Sequence, residues 1–428
     1  MERFVISGGT PLKGEVTISG FKNAAVAILP ATVLANDVCI LENVPDISDV
    51  RAEIKILKEM GARVRQISPS VLEIDTSTID TTEVPLELGK KMRASYYFLG
   101  SMLSRFGKAS VPMPGGCNLG ARPIDQHLKA FTAFGADNAI DYAMINVNSD
   151  NLVGAHVFFD TISVGATINA MLAAVMAQGT TVLENVAKEP HIVDVANFLN
   201  VMGANVRGAG TDVIKIHGVK QMHGGSYSII PDQIEAGTFM VAAAASRGDV
   251  LIKNIIPKHL EPITSKLRMI GATVEEFDDS VRVIGAKEYA TTNIKTMPHP
   301  GFPTDLQPVM GVLLCFAKGT SIITEGIWDN RFKYCDELNK MGANIQVEGR
   351  VAVFEGVESL RPAPVSATDL RAGAALIVAA LCTKGQSEIY EIAHVERGYV
   401  DIVKKIKALG GNIQKVVTPD GDELKKAF

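Results

Sequence analysis

The chain has 428 residues, with 42 Lys and Arg against 47 Asp and Glu, a formal net charge of −5, 47% hydrophobic residues and 21% charged ones. That balance gives no electrostatic basis for a nucleic-acid or anionic-membrane partner, and the apolar share is enough for more than one buried core. The start, MERFVISGG, has no charged segment leading into an apolar stretch, and no run reaches about 18 uninterrupted apolar residues, so a cytoplasmic location is expected rather than secretion or a membrane span.

The opening FVISGGTPLKGEVTISG reads as a strand pair. After it, AAVAILPATVLA has helix length and no consistent polar face, which predicts a helix buried on all sides. DVCILENV then reads as a strand, and an amphipathic helix comes next and ends in KEMGARV at Gly61. The same order returns as SYYFLGSMLSRF, KASVPMPG and TAFGADN at Gly135, and as ATINAMLAAVMA, TTVLENV and NVMGANV at Gly203. It returns again as GTFMVAAAAS, DVLIKNI and RMIGATV at Gly271, as PVMGVLLCFA, TSIITEGI and NKMGANI at Gly342, and as AGAALIVAALC, QSEIYEIA and KALGGNI at Gly410.

Those glycines are 74, 68, 68, 71 and 68 residues apart, so one folding unit was copied six times. Each glycine stands where a helix needs a left-handed cap, and the residues after it, for example NVRGAGTDVIKIHG, alternate like paired strands. Each copy therefore predicts strand, buried helix, strand, half-exposed helix and hairpin. A helix buried on every side needs sheets around it, so the expected fold class is α/β with helices inside and sheets outside. Six copies exceed one core, and two domains of three copies are expected: residues 22–229, carrying the Cys117 loop, and residues 1–21 with 230–428. In that scheme the opening strands complete the second domain, and the chain crosses near Gly20–Lys22 and again near Tyr227–Pro231.

Polar residues that depart from the template collect at two places. At the amino ends of the buried helices stand Lys22 and Asn23, Arg93, Ser163-Val164-Gly165, Asp232 and Glu235, Asp305, and Asp369 with Arg371. In the loops entering the second helices stand Cys117 and Arg122, His191, His259, Asp329-Asn330-Arg331, and His394 with Arg397. Helix amino termini attract anions, and adding Lys and Arg makes a phosphate or carboxylate site. Lys22, Arg93, Arg122, Arg331, Arg371 and Arg397 come from both halves, which places the expected active site in a cleft between the two domains.

Simpler readings stand beside these. An Arg at a helix start serves equally as a solvated or ion-paired surface residue, the loop histidines as hydrogen-bonding surface groups, and Asp305 and Asp369 as N-caps. Cys39, Cys315, Cys335 and Cys382 lie in apolar or helical contexts and read as inert core residues. The five cysteines form no CxxC pair, their odd number fits a reducing compartment, and no cluster has metal spacing, so no metal and no cofactor are expected. Cys117 differs: PMPGGCNLGARPID holds three prolines and three glycines, and a thiol there, five residues from an Arg and just before a helix, has the setting of a lowered pKa.

That Cys-bearing loop, with FKNAA, ISVGAT, FPTDLQ, DNRF, ATDLRA and HVERGY, closely resembles the UDP-N-acetylglucosamine 1-carboxyvinyltransferase (UDP-GlcNAc enolpyruvyl transferase) family, from the first strand to the last helix. The resemblance implies a two-domain inside-out α/β barrel. It implies transfer of enolpyruvate from phosphoenolpyruvate to the 3-hydroxyl of UDP-N-acetylglucosamine, with release of phosphate, the first committed step of bacterial peptidoglycan synthesis. By resemblance Cys117 is the general acid and a site of covalent adduct formation, and Asp305 the base. Lys22, Arg122 and Arg397 hold the phosphate and stabilise developing charge, with Arg331 and Arg371 at the carboxylate. The family pattern maps Asn23, Arg93, Arg122-Pro123-Ile124-Asp125-Gln126, Ser163-Val164-Gly165, Asp305 and Ile327 to the sugar nucleotide, and includes Asp369 among the binding residues. The chain departs from the pattern at Thr161, where many relatives carry lysine, and at Asp329, where glutamate is usual. Two other functions are weighed beside this one: transfer of enolpyruvate to shikimate 3-phosphate, which needs neither Cys117 nor a uridine pocket, and a non-catalytic protein that binds UDP-sugar.

Overall fold

The computed structural model describes residues 2–90, 92–113 and 124–418. The six apolar runs form the helices Lys22–Ala31, Tyr97–Phe106, Val164–Ala174, Gln233–Ala245, Gln307–Leu314 and Leu370–Cys382, in which nearly every side chain is buried. With no polar face to present, such helices have to be covered on every side. They are rich in Ala and Gly because they pack closely. A Cβ on Gly100 would lie 2.5 Å from the carbonyl oxygen of Asn169 on the neighbouring helix, closer than any real contact allows.

The described chain divides into two compact units. One runs from Gly20 to Ile230, and the other joins the residues up to Ser19 with those from Pro231 onward. In the first, the helix Tyr97–Phe106 packs on both Lys22–Ala31 and Val164–Ala174; in the second, Gln233–Ala245, Gln307–Leu314 and Leu370–Cys382 all touch one another. Three sheets belong to each unit, five of four strands and one of three, and none of these sheets closes on itself among the described residues.

Copy three shows the template. Its leading strand His156–Phe158 runs parallel to Thr180–Glu184, which pairs antiparallel with Val213–His217, and Asn205–Arg207 forms the edge. Copies one and four take their leading strand from elsewhere in the chain. Ser226–Ser228 runs parallel to Val38–Glu42, and Lys13–Thr17 parallel to Asp249–Lys253.

The opening strands thus differ from the expected pair, because they do not pair with each other. Among the described residues copy six ends with one strand, Asn412–Val417, which leaves a gap beside Gly385–Tyr390. Glu2–Gly8 fills that gap, pairing antiparallel with both and burying Phe4 and Ile6. Its partner Lys13–Thr17 belongs to copy four's sheet instead. Copy two departs as well, for its leading strand shrinks to a bridge between Glu83 and Ser110. The next ladder bond would need an N–H from Pro112 to the Val84 carbonyl, and Pro112 has none.

All six copy-ending glycines have positive φ: 102°, 84°, 96°, 110°, 88° and 82° for Gly61, Gly135, Gly203, Gly271, Gly342 and Gly410. The shared sequence is therefore a shared left-handed cap, a backbone conformation that only glycine adopts without strain.

Buried carboxylates pin the segments at which each unit begins or ends. Glu235 accepts the Ser19 N–H at 2.8 Å and lies 2.6 Å from Lys405 Nζ, which also donates to Ser19 Oγ at 2.7 Å. In the other unit Asp194, 1% exposed, accepts the Tyr227 hydroxyl at 2.5 Å and the Ile230 N–H at 3.3 Å. Burial raises the Asp194 carboxyl from its usual 3.8 to about 6, against the pull of those two donors. Among the described residues no helix is long and apolar enough to cross a membrane.

Two measurements test this reading. A Cβ on Gly410 would meet nothing within 4 Å, so Gly410→Ala isolates the backbone cost, and urea unfolding is expected to show a loss of about 1–2 kcal/mol. For Asp194, a folded-state pKa above the unfolded one means that the native protein binds the extra proton. Its contribution is then full below pH 3.8 and lost as pH rises through about 6. Asp194→Asn is expected to remove that downward slope, a difference of about 2–3 kcal/mol between the ends of the window. Parallel stability curves for the two proteins from pH 3.5 to about 7 would overturn the assignment.

Candidate active site

In the unit that carries residues 231 onward, Asp305 sits in a tight turn, Thr304–Leu306, just ahead of the buried helix Gln307–Leu314. It does not cap that helix: the cap position is Leu306, and no side chain bonds there. Its carboxylate instead takes Arg331 Nη2 on Oδ1 at 3.0 Å and Arg371 Nη2 on Oδ2 at 3.3 Å. Both arginines are only 3% exposed. Two buried guanidinium groups share the Asp305 carboxylate, and Arg371 also feels the charge of Asp232. Arg331 Nε and Arg371 Nη1 are buried without any hydrogen-bond partner.

Arg371 is fixed from several directions. Its guanidinium lies 5.4 Å from the centre of the Tyr399 ring, and the Tyr399 hydroxyl bonds to Thr238 Oγ1 at 2.9 Å. Burial works against its charge, but Tyr399, Asp305 and Asp232 more than offset this. Asp369, by contrast, is an ordinary N-cap, accepting the N–H groups of Arg371 at 2.9 Å and Ala372 at 3.0 Å; it thereby sets where Arg371 begins. Ile327 is half-buried in a turn whose backbone is held by Glu325, and Arg397, half-buried, closes the short helix Ala393–Glu396.

In the unit from Gly20 to Ile230, Lys22 and Asn23 open the buried helix Lys22–Ala31. Lys22 Nζ lies 3.1 Å from Asp49 Oδ2 in the first turn of the helix Ser48–Glu59. One turn further on, Glu53 is fully buried, with neither carboxyl oxygen hydrogen-bonded. Burial and the Asp49 charge push its pKa well up, opposed by Lys22.

Arg93 starts the turn Arg93–Tyr96, and its guanidinium lies 5.7 Å from the Tyr96 ring centre. Tyr96 packs edge-on to His127. A Cβ on Gly165 would lie 2.6 Å from the Tyr96 hydroxyl and 2.8 Å from His127 Nε2, so only glycine lets both rings reach this helix start. Ser163 caps the same helix, accepting the Ala166 N–H at 3.3 Å, and Val164 is its first residue. Burial, then Arg93, lowers the His127 pKa to about 4, and the neutral ring has no partner at either nitrogen.

Ile124 and Asp125 open the helix that carries His127. Gln126 Nε2 donates to Asp125 at 2.8 Å and Asp160 at 3.1 Å, and Lys129 Nζ reaches Asp160 at 2.8 Å. Thr161 is exposed, and Asp329 is paired on the surface with Arg350. Cys117, Arg122 and Pro123 lie outside the described residues. Among the described residues no group of three or more His, Cys, Asp and Glu has the arrangement of a metal site.

Sequence reasoning thus reached Asp305, Arg331 and Arg371, which the fold brings together, but missed Tyr399 and Glu325, which hold that cluster, and Asp49, which pairs with Lys22. Tyr399, in HVERGY, and Asp49 carry no local signal. Glu325 did carry one, through comparison of the copies.

The model of the EPSP synthase (3-phosphoshikimate 1-carboxyvinyltransferase) family matches residues 6–406. A UDP-N-acetylglucosamine 1-carboxyvinyltransferase of Clostridium botulinum is 55% identical over 97% of this chain and 100% of its own length. A UDP-N-acetylglucosamine 1-carboxyvinyltransferase 3 of Caldanaerobacter subterraneus is 54% identical over the same shares. Among solved structures, the enolpyruvyl transferase NikO of Streptomyces tendae superposes with a TM-score of 0.88 at 27% identity, covering 98% of this chain and 99% of that one. An EPSP synthase of Acinetobacter baumannii shares the fold at a TM-score of 0.77 and 18% identity, covering 97% and 100%. With both a family model spanning most of the chain and full-length relatives above half identity, the chain belongs to the EPSP synthase (3-phosphoshikimate 1-carboxyvinyltransferase) family and, within it, to the UDP-N-acetylglucosamine 1-carboxyvinyltransferases.

Proposed function

We propose that this chain transfers enolpyruvate from phosphoenolpyruvate to the 3-hydroxyl of UDP-N-acetylglucosamine and releases phosphate, acting in the cytoplasm on the path to peptidoglycan. The observation that carries the reading is the pair of buried guanidinium groups sharing Asp305, with donors left over, in a chain 55% identical to a transferase of that name. Phosphoenolpyruvate is a small anion with one carboxylate and one phosphate. Arg331 and Arg371 suit the carboxylate, and Lys22, Arg122 and Arg397 the phosphate. Each charge-assisted bond in such a site contributes about 1.5–3 kcal/mol.

The reaction adds the sugar hydroxyl to C2 of phosphoenolpyruvate while C3 gains a proton. Cys117 delivers that proton, and Asp305 takes one from the hydroxyl. In the return step C3 gives up a proton, the C2–oxygen bond to phosphate breaks, and the enol ether remains on the sugar. Cys117 also has the chemistry to add to C2 directly and hold a covalent adduct. Arg331 and Arg371 aim the Asp305 oxygens, so the base is placed before substrate arrives. On the nucleotide, Ser163, Val164 and Gly165 offer a helix amino terminus to the diphosphate, with Asn23, Arg93, Ile124, Asp125, Gln126 and Ile327 lining the remainder.

The family model's name favours a second acceptor, shikimate 3-phosphate. Phosphate release with phosphoenolpyruvate and each acceptor in turn separates the two readings. Release is expected with UDP-N-acetylglucosamine alone, and the opposite preference would sink the proposal. With the preferred acceptor, Cys117→Ala and Asp305→Asn are each expected to lower kcat by about a hundredfold to ten-thousandfold, as removal of a proton-transfer group does. Wild-type turnover in Cys117→Ala would refute the acid role.

A further inference from the structure

Glu325 breaks a rule that three other copies keep. In copies one, three and four the residue after the strand that succeeds the buried helix is asparagine. Asn43, Asn185 and Asn254 each donate an amide N–H at 2.8 Å to a backbone carbonyl at the end of the leading strand, those of Ile229, Phe159 and Ile18. The backbone around them matches: the N–H groups of Ile229, Phe159 and Ile18 bond back to Glu42, Glu184 and Lys253. In copy five the same backbone bond runs from Thr296 N–H to Thr324, so Thr296 and Glu325 occupy the equivalent places. The donor has become an acceptor. Copy six also carries glutamate here, Glu391, but exposed.

Glu325 is 1% exposed, and the structure gives it four donors from three segments. Oε1 accepts Thr296 Oγ1 at 2.7 Å, the Ile327 N–H at 2.8 Å and the Trp328 N–H at 3.2 Å; Oε2 accepts Thr304 Oγ1 at 3.0 Å. Thr304 is the residue before Asp305, and Ile327–Trp328 leads to Arg331, which bonds Asp305 at 3.0 Å. The circuit is closed: Asp305 is held on one side by Arg331 and on the other, through Thr304, by the carboxylate that also shapes the approach to Arg331.

We infer that Glu325 is a positioning residue, which locks the turn bearing Asp305 to the turn bearing Ile327 so that the nucleotide contact and the proton-transfer carboxylate are set together. The inference rests on the proposed function, and it assigns Glu325 no contact with substrate. The strand-pinning role the other copies give this position explains none of the bonds to Thr304, Ile327 or Trp328.

The copies themselves supply the test. Glu325→Asn restores the residue used by copies one, three and four, which can pin Thr296 but is too short to reach Thr304 and the Ile327 turn together. Its melting temperature is expected to fall, because buried donors lose their acceptor, and kcat is expected to fall about tenfold to a hundredfold, as small displacements of a reacting group do. KM for UDP-N-acetylglucosamine is expected to rise, and the emission of Trp328, the single tryptophan of the chain, to shift. Glu325→Gln is expected to recover most of kcat, its oxygen accepting the Thr296, Ile327 and Trp328 donors and its amide donating to the Thr304 hydroxyl. Thr304→Val cuts only the branch to Asp305, so kcat should fall with KM and Trp328 emission unchanged. Wild-type kcat in both Glu325→Asn and Thr304→Val overturns the inference, as does a Glu325→Asn loss that Glu325→Gln does not repair. Should Glu325→Asn fail to fold, Thr304→Val alone decides. Absence of phosphate release by the wild type would strike the proposed function instead, and so stays distinguishable.

Discussion

Six helices without a polar face govern this molecule. Because Lys22–Ala31, Tyr97–Phe106, Val164–Ala174 and their three counterparts are buried on every side, a polar group along their length needs a partner inside the core, as Thr238 has in Tyr399. Polar chemistry is driven to the two places where the helix backbone itself is unsatisfied or the chain is irregular: the amino termini and the loops after the next strand. Lys22, Arg93, Ser163, Asp305 and Arg371 all stand at such starts, and Arg331 in such a loop. The site location is thus a consequence of how the core is built, before any particular substrate is considered.

Repetition then makes the exceptions readable. Six glycines at one position of the template, all with positive φ, are structural and say nothing about chemistry. Three asparagines at another position, making one identical bond, are structural in the same sense. Against that background the single buried glutamate at the equivalent place is a departure with a cost: a carboxylate removed from water needs its donors, and it has four. The same comparison disposes of Asp369, which does what an N-cap does, and singles out Asp305, which stands at a helix start and declines to cap it.

The range of the forces involved separates the features legible in the sequence from those hidden in it. Buried helices, their order and their caps are written in local composition, so each appears where the apolar run and the glycine place it. The opening strands read as a pair because Phe4 and Ile6 alternate just as hairpin residues would. Only the vacancy in copy six's sheet, hundreds of residues away, decides where they go. Copy two lost its leading strand to one proline. The resemblance to a transferase family named Asp305, Arg331 and Arg371, yet the bonds that aim them come from Tyr399, Thr304 and Glu325. The raised pKa of Glu53 and the low pKa of His127 are products of burial, and burial is a property of the assembled fold alone.

Under the proposed function, Asp305 carries two duties that pull in different directions. As a base it has to be reachable and exchange a proton, and it is indeed the most open member of its cluster, at 26% side-chain exposure against 3% and 4% for the two arginine side chains. As the counter-charge of two buried guanidinium groups it also stabilises the empty site, since removing one partner of a buried pair costs about 3–5 kcal/mol. An incoming anionic substrate takes over the second duty by neutralising the arginines itself, which frees the carboxylate for the first. If Asp305 is the base proposed above, its availability depends on an anion pairing with Arg331 and Arg371, and proton transfer is coupled to occupancy of the site.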